Sequence, residues 1–145
     1  MNKVIFSLYI VCCLFAACSG MKKTSSVTEQ SKLAGNWELC YIYGSTGTFE
    51  SLYPNGKPSI NFDTFKNIAN GNTSCNYFNE QVKVEGNQIS FTEPIIMTKM
   101  LCLDGNGETI FLEALTKITS FSIGEDGKTL YLNSGDIEMM RLTKK

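Results

Sequence analysis

The chain has 145 residues, with 13 basic and 14 acidic side chains, six cysteines and no histidine. This length suits one domain of ordinary size, and a formal net charge of −1 provides no basic surface for nucleic acid. Without histidine, the chain cannot form a Ser-His-Asp triad, a Cys-His pair or an HExxH zinc site.

Residues 1–17 have the pattern of an export signal. Lys3 precedes an uncharged apolar run that is shorter than the roughly 20 residues of a transmembrane helix and has the length of a signal-peptide core. The run ends in the letters LFAAC and resembles a bacterial lipoprotein signal. The resemblance implies cleavage before Cys18 and acylation of Cys18, which would anchor the chain in a membrane. Plain secretion and a retained anchor are the alternatives.

Residues 18–32 are polar and contain no aromatic side chain, which is typical of a flexible tether. Ser19 follows the acylation site, where an Asp would favour retention in the inner membrane. The lipoprotein resemblance therefore implies an outer-membrane protein that faces the periplasm. Residues 33–145 form the globular body.

Short apolar runs with a period of two predict half-buried β-strands along the body. The first covers 37–43, and later ones are marked by Ile60 and Phe62, Val82 and Val84, Ile89 and Phe91, Phe121 and Ile123, Leu130 and Leu132, and Ile137 and Met139. Turn-forming residues at 85–87, 124–127 and 133–136 predict antiparallel hairpins. The segment 44–58 contains Gly, Ser and Pro, and we expect a longer loop there.

One segment, 108–118, changes to a helical period. Ile110, Phe111, Ala114, Leu115 and Ile118 fall on one face, and residues 104–107 supply the preceding turn. That turn resembles the start of a calcium loop, but Thr109 and Leu115 stand where the pattern requires Gly and Glu. The sequence predicts a mostly β protein, with a curled antiparallel sheet covered by a single amphipathic helix.

Five motifs in order resemble the META domain family, whose members are described as HslJ-like. They are Leu33-x-Gly35-x-Trp37-x-Leu39, Thr73-Ser74-Cys75-Asn76-x-Phe78, Met97-Thr98-Lys99-Met100-x-Cys102, Glu108-x-x-Phe111-Leu112-x-Ala114-Leu115 and Leu130-Tyr131-Leu132. The resemblance covers 33–143 and implies a small, barrel-like, antiparallel β fold with one helix. It also implies a loose association with motility, with heat or drug stress, and with virulence. The family's usual Gly-Cys-Asn is Ser74-Cys75-Asn76 here.

The six cysteines fall into different classes. Cys12 and Cys13 lie in the signal, and Cys18 is the acylation site. The family resemblance implies a disulfide between Cys75 and Cys102, with two small buried thiols as the alternative. We expect Cys40, between Leu39 and Tyr41, to be buried and inert. Three scattered cysteines without histidine or a CxxC pair favour neither a zinc site nor a redox enzyme.

Two further groups are weighed as sites. Asp63, Glu80, Glu85 and Glu93 are carboxylates, but solvated strand faces explain them better than acid–base chemistry. Trp37, Tyr41 and Tyr43 form either ordinary core or the mouth of an apolar cavity, since small barrels can hold one ligand. We predict no catalytic residues, no metal and no cofactor.

Three functions remain open. The first is a non-enzymatic, lipid-anchored envelope protein that binds a partner or supports the envelope under stress. The second is a carrier or secretion-pilot-like chaperone that holds an acyl chain or another hydrophobic ligand. The third is an inhibitor or adaptor of an envelope enzyme that uses the 44–58 loop.

Overall fold

The computed structural model of the chain describes residues 29–91, 94–102 and 106–145. Residues 29–33 are helical, so the last part of the expected tether is ordered in the described chain. Nine strands and two further helices follow: β1 (Gly35–Ile42), α1 (Phe49–Leu52), β2 (Ser59–Asp63), β3 (Ile68–Asn72), β4 (Tyr77–Glu85), β5 (Gln88–Phe91), β6 (Ile96–Met97), α2 (Gly107–Lys117), β7 (Ser120–Ile123), β8 (Thr129–Ser134) and β9 (Ile137–Lys144). No helix in these described ranges has the length and apolarity needed to cross a membrane.

Eight of the strands close into an antiparallel barrel. Their order is β3-β2-β1-β9-β8-β7-β5-β4, and pairing of β3 with β4 completes the circle. The short strand β6 follows β5 in the chain and also pairs with β4, where Phe78 lies opposite Met97. The β5–β7 junction is narrow, with Gln88 opposite Ser120 as its one register pair. The mostly β, barrel-like fold with a helix is therefore confirmed.

Alternation along the strands fills the barrel interior with large apolar side chains. Trp37 and Leu39 of β1, Phe121 of β7 and Leu132 of β8 are fully buried or nearly so. Burying each such side chain stabilises the folded state by roughly 1.5–3 kcal/mol. The predicted hairpins at 85–87, 124–127 and 133–136 join neighbouring antiparallel strands, as expected.

Helix α2 is the amphipathic helix that the sequence predicts. Its apolar stripe, which includes Phe111, Ala114 and Leu115, is buried. The ring of Phe111 packs against that of Phe78, with centroids 6.0 Å apart. The helix thereby adds Phe111 and Leu115 to the core and contacts strands β5 and β9.

The expectation of a loop over 44–58 and of one helix in the body was incomplete, because this segment contains the one-turn helix α1. Thr48 caps α1 by accepting a hydrogen bond from the amide of Ser51 at 3.2 Å. Leu52 and Tyr53 are buried and lie beside Gly107 of α2. A Cβ atom at Gly107 would lie 2.1 Å from the Leu52 carbonyl oxygen, so only glycine permits this approach of α1 to α2.

The strand register defines two ends of the hairpin β2–β3. At the N-terminal end, Gly35 lies opposite Phe62, so the chain begins the barrel beside the turn 64–67. At the disulfide end, Asn72 lies opposite Tyr77, and the segment 73–76 connects β3 to β4. These two ends present different side chains to solvent.

Candidate functional site

Three segments that are distant in sequence meet at the disulfide end. The segment 73–76, the segment 98–102 and the first turn of α2 contribute the side chains of Thr73, Cys75, Asn76, Cys102 and Glu108, which we call the clamp. The structure joins Cys75 to Cys102 in a disulfide, the pair that the family resemblance implies, with Cα atoms 5.9 Å apart. The bond links two segments that have little regular secondary structure.

Asn76 is the centre of the clamp and is 2% exposed. Its amide oxygen accepts hydrogen bonds from the Thr98 hydroxyl at 2.7 Å and the Met100 backbone N–H at 2.8 Å. Its amide nitrogen donates to the Met100 carbonyl at 3.2 Å and to Glu108 Oε2 at 3.1 Å. The Asn76 side chain thus bonds both the N–H and the carbonyl of Met100. Its own amide oxygen and nitrogen are also satisfied, as is usual for a buried amide.

Thr73 and Glu108 complete the clamp. The fully buried Thr73 hydroxyl accepts from the Asn76 backbone N–H at 2.9 Å and donates to Glu108 Oε1. Glu108 lies in the first turn of α2, where the helix dipole favours a negative charge. The carboxylate is therefore held by hydrogen bonds on both oxygens.

The clamp also contains the sulfur and carboxylate atoms that a metal would use. In the described ranges, Cys75, Cys102 and Glu108 are the one group of three such side chains with ligand atoms within 4.8 Å of one another. However, both sulfurs are joined in the disulfide, and metals bind the thiolate. The 3.1 Å approach of Cys102 Sγ to Glu108 Oε2 is accordingly a contact rather than a hydrogen bond, since a disulfide sulfur carries no proton.

Next to the clamp, four exposed apolar side chains form what we call the apolar patch: Tyr77, Ile96, Met100 and Leu101. Tyr77 is tied to Thr98 by two hydrogen bonds, one through its N–H and one through its carbonyl. Ile96 lies opposite Asn79, two residues along β4 from Tyr77, and the Met100 N–H donates to Asn76. Leu101, between Met100 and the disulfide, is 87% exposed. The clamp therefore fixes the backbone that displays the patch.

An open depression of about 210 Å³ adjoins the patch. Residues 55–57, after α1, form one wall, and Asn72, Ser74, Cys75 and Tyr77 form the remainder. Part of the 44–58 segment thus reaches the same surface as Tyr77. The sequence did not predict this proximity, because it depends on α1 packing against Gly107.

The three aromatic residues proposed as a cavity mouth do not come together. Trp37 is buried and donates from Nε1 to the Leu33 carbonyl at 2.8 Å, whereas Tyr41 and Tyr43 are exposed. A β-bulge explains the difference: Leu39 lies opposite Leu142 and Tyr41 lies opposite Arg141, so Cys40 is an extra residue. The bulge shifts the alternation, and Tyr41 points outward with the Arg141 guanidinium 5.4 Å from its ring centroid.

The expectation of a buried Cys40 is also wrong. Cys40 is an exposed free thiol, and its Sγ donates to the Arg141 carbonyl at 3.2 Å. Partial desolvation raises the pKa of the thiol, and the nearby charge of Arg141 opposes that rise. A raised pKa lowers the thiolate fraction at neutral pH, which argues against a reactive cysteine.

Glu80 and Asp63, two of the carboxylates considered for acid–base chemistry, have defined hydrogen-bond partners. Glu80 was expected on a solvated face, but it is 6% exposed and points inward on β4, where it accepts from the Gln81 N–H at 3.0 Å. Asp63 accepts hydrogen bonds from the N–H groups of Phe65 and Lys66, and the Lys66 bond lowers the pKa of Asp63. The predicted acylation site, Cys18, lies outside the described residues.

Comparison with known proteins identifies the family of this chain. The model of the META domain matches residues 30–145. The chain belongs to the META domain family. The clamp therefore unites three of the family-like motifs, those around Asn76, Cys102 and Glu108, whose joint role as one cluster was not visible in the sequence.

Solved structures support the same fold for this META domain protein. A protein from Burkholderia xenovorans, solved by NMR, has a TM-score of 0.59 and 18% sequence identity, covering 89% of this chain and 94% of that one. Another NMR structure has a TM-score of 0.55 and 18% identity, covering 77% of this chain and 89% of that one. No curated protein sequence matches the chain. At such identities the likeness establishes the fold alone.

Proposed function

We propose that this META domain protein is anchored by acyl chains at Cys18 in the bacterial cell envelope, on the periplasmic side of the outer membrane. In this proposal it acts by binding another envelope protein, without catalysis, and so supports the envelope under stress. The lipoprotein-like ending LFAAC supports the anchor. Two or more acyl chains give stable membrane attachment, because each buried CH₂ contributes about 0.8 kcal/mol.

The apolar patch held by the clamp is the observation that carries the binding role. Large apolar side chains that remain exposed together often mark an interaction surface. Here the disulfide and the Asn76 hydrogen bonds already fix the backbone around Met100. A partner would therefore lose little conformational entropy on ordering this surface, which favours affinity.

The partner surface that fits is apolar at its centre, since Ile96 and Leu101 offer no charge. The depression formed with residues 55–57 extends the surface toward the 44–58 segment. This placement favours the adaptor or inhibitor form of the binding hypothesis over the carrier form. The carrier requires internal space, whereas Trp37, Phe111 and Phe121 are packed at full or nearly full burial in the interior.

The anchor is tested by metabolic labelling with a palmitate analogue. The wild-type chain should take up label, and Cys18→Ala should not. Label that persists in Cys18→Ala would refute the proposed acylation site.

Binding is tested with a photoreactive amino acid at position 101 of the full chain in living cells. We expect discrete protein adducts that are lost when Ile96→Ser is added. Position 65, an equally apolar and exposed site at the N-terminal end, is the matched control and should give no such adducts. Equal protein adducts from both positions, or none from position 101, would exclude the patch as the binding surface.

A further inference from the structure

The turn between β2 and β3 presents a phenylalanine at the N-terminal end of the barrel. Phe65 is 98% exposed. The Asp63 carboxylate holds the turn by accepting from the N–H groups of Phe65 at 3.2 Å and Lys66 at 3.1 Å. Asn67 completes the turn in the left-handed region, with φ of 55°. A large apolar ring is thus displayed on a fixed backbone.

Strand β1 begins beside this turn, because Gly35 lies opposite Phe62. The preceding helical residues 29–33 stay at this end of the strand, where Leu33 is buried and its carbonyl accepts from Trp37 Nε1. Cys18 precedes Glu29, the first described residue, by 11 residues. A chain of that length spans at most about 40 Å when fully extended. An acyl group on Cys18 would therefore keep the N-terminal end within about 40 Å of the lipid surface.

Two ion pairs lie at this end. Lys66 lies 3.3 Å from Asp63, and Lys32 lies 2.9 Å from Glu29. The turn can therefore approach lipid headgroups without leaving the Asp63 carboxylate unpaired.

We propose that the N-terminal end of the barrel rests on the bilayer that holds the anchor, with Phe65 inserted among the headgroups. This inference rests on the proposed acylation of Cys18. Aromatic rings favour the membrane interface, and tethering raises the effective concentration of the turn at the lipid surface. Strand β3 carries five residues, about 17 Å of chain at the usual rise, so the patch is displayed away from the lipid.

The orientation is tested with the full, acylated protein in vesicles of phosphatidylcholine that is brominated along its acyl chains, a quencher of tryptophan fluorescence. Phe65→Trp and Leu101→Trp place reporters at the two ends, both at exposed positions. The natural Trp37 is fully buried, so wild type supplies the common background. We expect Phe65→Trp to lose fluorescence and shift to shorter wavelength, and Leu101→Trp to match wild type.

Three results would count against the orientation. Quenching of Leu101→Trp equal to that of Phe65→Trp would overturn it, as would absence of quenching in an acylated Phe65→Trp protein that floats with the vesicles. Neither result would affect the proposed anchor. A protein that carries no acyl group and does not float would instead overturn the anchor and, with it, the orientation.

Discussion

The sheet formed by β1, β8 and β9 and the clamp at the disulfide end are held by different interactions. Six register pairs join β8 to β9, and five join β9 to β1. In the clamp, by contrast, the segments 73–76 and 98–102 are connected mainly by one disulfide and by the side chain of Asn76. Where regular strand pairing ends, side chains take over the hydrogen bonding that the backbone provides elsewhere.

This difference predicts where single side chains matter. In the sheet, many backbone hydrogen bonds and core contacts hold the strands together, so no single side chain is decisive. In the clamp, one amide and one disulfide hold a whole segment, so their loss should be costly. The following changes test that contrast, beginning with the largest expected effect.

Removing the disulfide with Cys75→Ser and Cys102→Ser should lower the free energy of unfolding by about 3.5 kcal/mol in the chain-entropy model. The cysteines are 27 residues apart, so reduction frees a sizeable loop in the unfolded chain. Urea unfolding of the purified protein measures the effect. The exposed Cys40→Ser is the matched control and should change stability little. Equal stability of the double variant and wild type would show that the strands alone hold this end.

Asn76→Ala should lower the free energy of unfolding by about 2 kcal/mol, because it removes the hydrogen bonds made by this buried amide. The Met100 N–H loses its acceptor, so its hydrogen exchange should become faster. The N–H of Tyr43, which bonds to the Met139 carbonyl in the sheet, should show no comparable local change. Asn79→Ala, at an exposed position of the following strand β4, is the control. Equal effects of the two variants would contradict a special role for Asn76.

The sequence was sufficient for the sheet and insufficient for the clamp, for a physical reason. Alternation of apolar residues reports which strand face is buried, and a helical stripe such as that of α2 reports its covering face. The clamp instead joins Asn76 to Glu108 across 32 positions, and no local period reflects such a contact. The family resemblance drew attention to both motifs but assigned a role only to the cysteines.

The bulge at Cys40 shows a second limit of sequence reasoning. Strict alternation from Trp37 places Leu39 and Tyr41 on one face, but the extra residue opposite β9 sends Tyr41 outward. Register depends on the partner strand, so the bulge is invisible in β1 alone. The cavity hypothesis failed at this position, whereas the expectation of a buried Cys40 already disagreed with alternation from the buried Leu39.

Tyr53 differs from Asn76, because it carries a buried polar group whose hydrogen-bonding capacity is not satisfied. Its buried hydroxyl has no hydrogen-bond partner among the described residues, and burial raises the pKa of Tyr53 to about 12 from 10.0. As pH rises through this interval, the unfolded chain loses its proton first, so the folded state loses stability. The loss should be at most about 2 kcal/mol between pH 10 and 12.

Tyr53→Phe should remove this loss and leave stability at pH 7 unchanged or slightly higher, since the unsatisfied hydroxyl is absent. Urea unfolding at pH 7, 9 and 11 measures the difference. Tyr43→Phe, which alters an exposed tyrosine, should retain the wild-type pH profile. If Tyr53→Phe follows wild type at alkaline pH, then the hydroxyl is hydrated or bonded in solution.

The smallest expected effect concerns Ser74, which directly precedes the disulfide. Its φ of 84° lies in the left-handed region, which costs a non-glycine residue roughly 1–2 kcal/mol. Its hydroxyl is also buried without a partner among the described residues. Ser74→Gly removes both penalties, while greater freedom of the unfolded chain offsets about 0.5–1 kcal/mol. The net result should be a gain of about 1 kcal/mol in the free energy of unfolding.

Ser74→Ala separates the two contributions, because it removes the hydroxyl and keeps the Cβ atom that causes the backbone strain. We expect Ser74→Ala to gain less stability than Ser74→Gly in the same urea measurement. Equal gains would assign the whole effect to the unpaired hydroxyl. A loss of stability in Ser74→Gly would mean that the clamp tolerates this turn without strain, and that the serine side chain contributes to holding the end of the barrel where strand pairing stops.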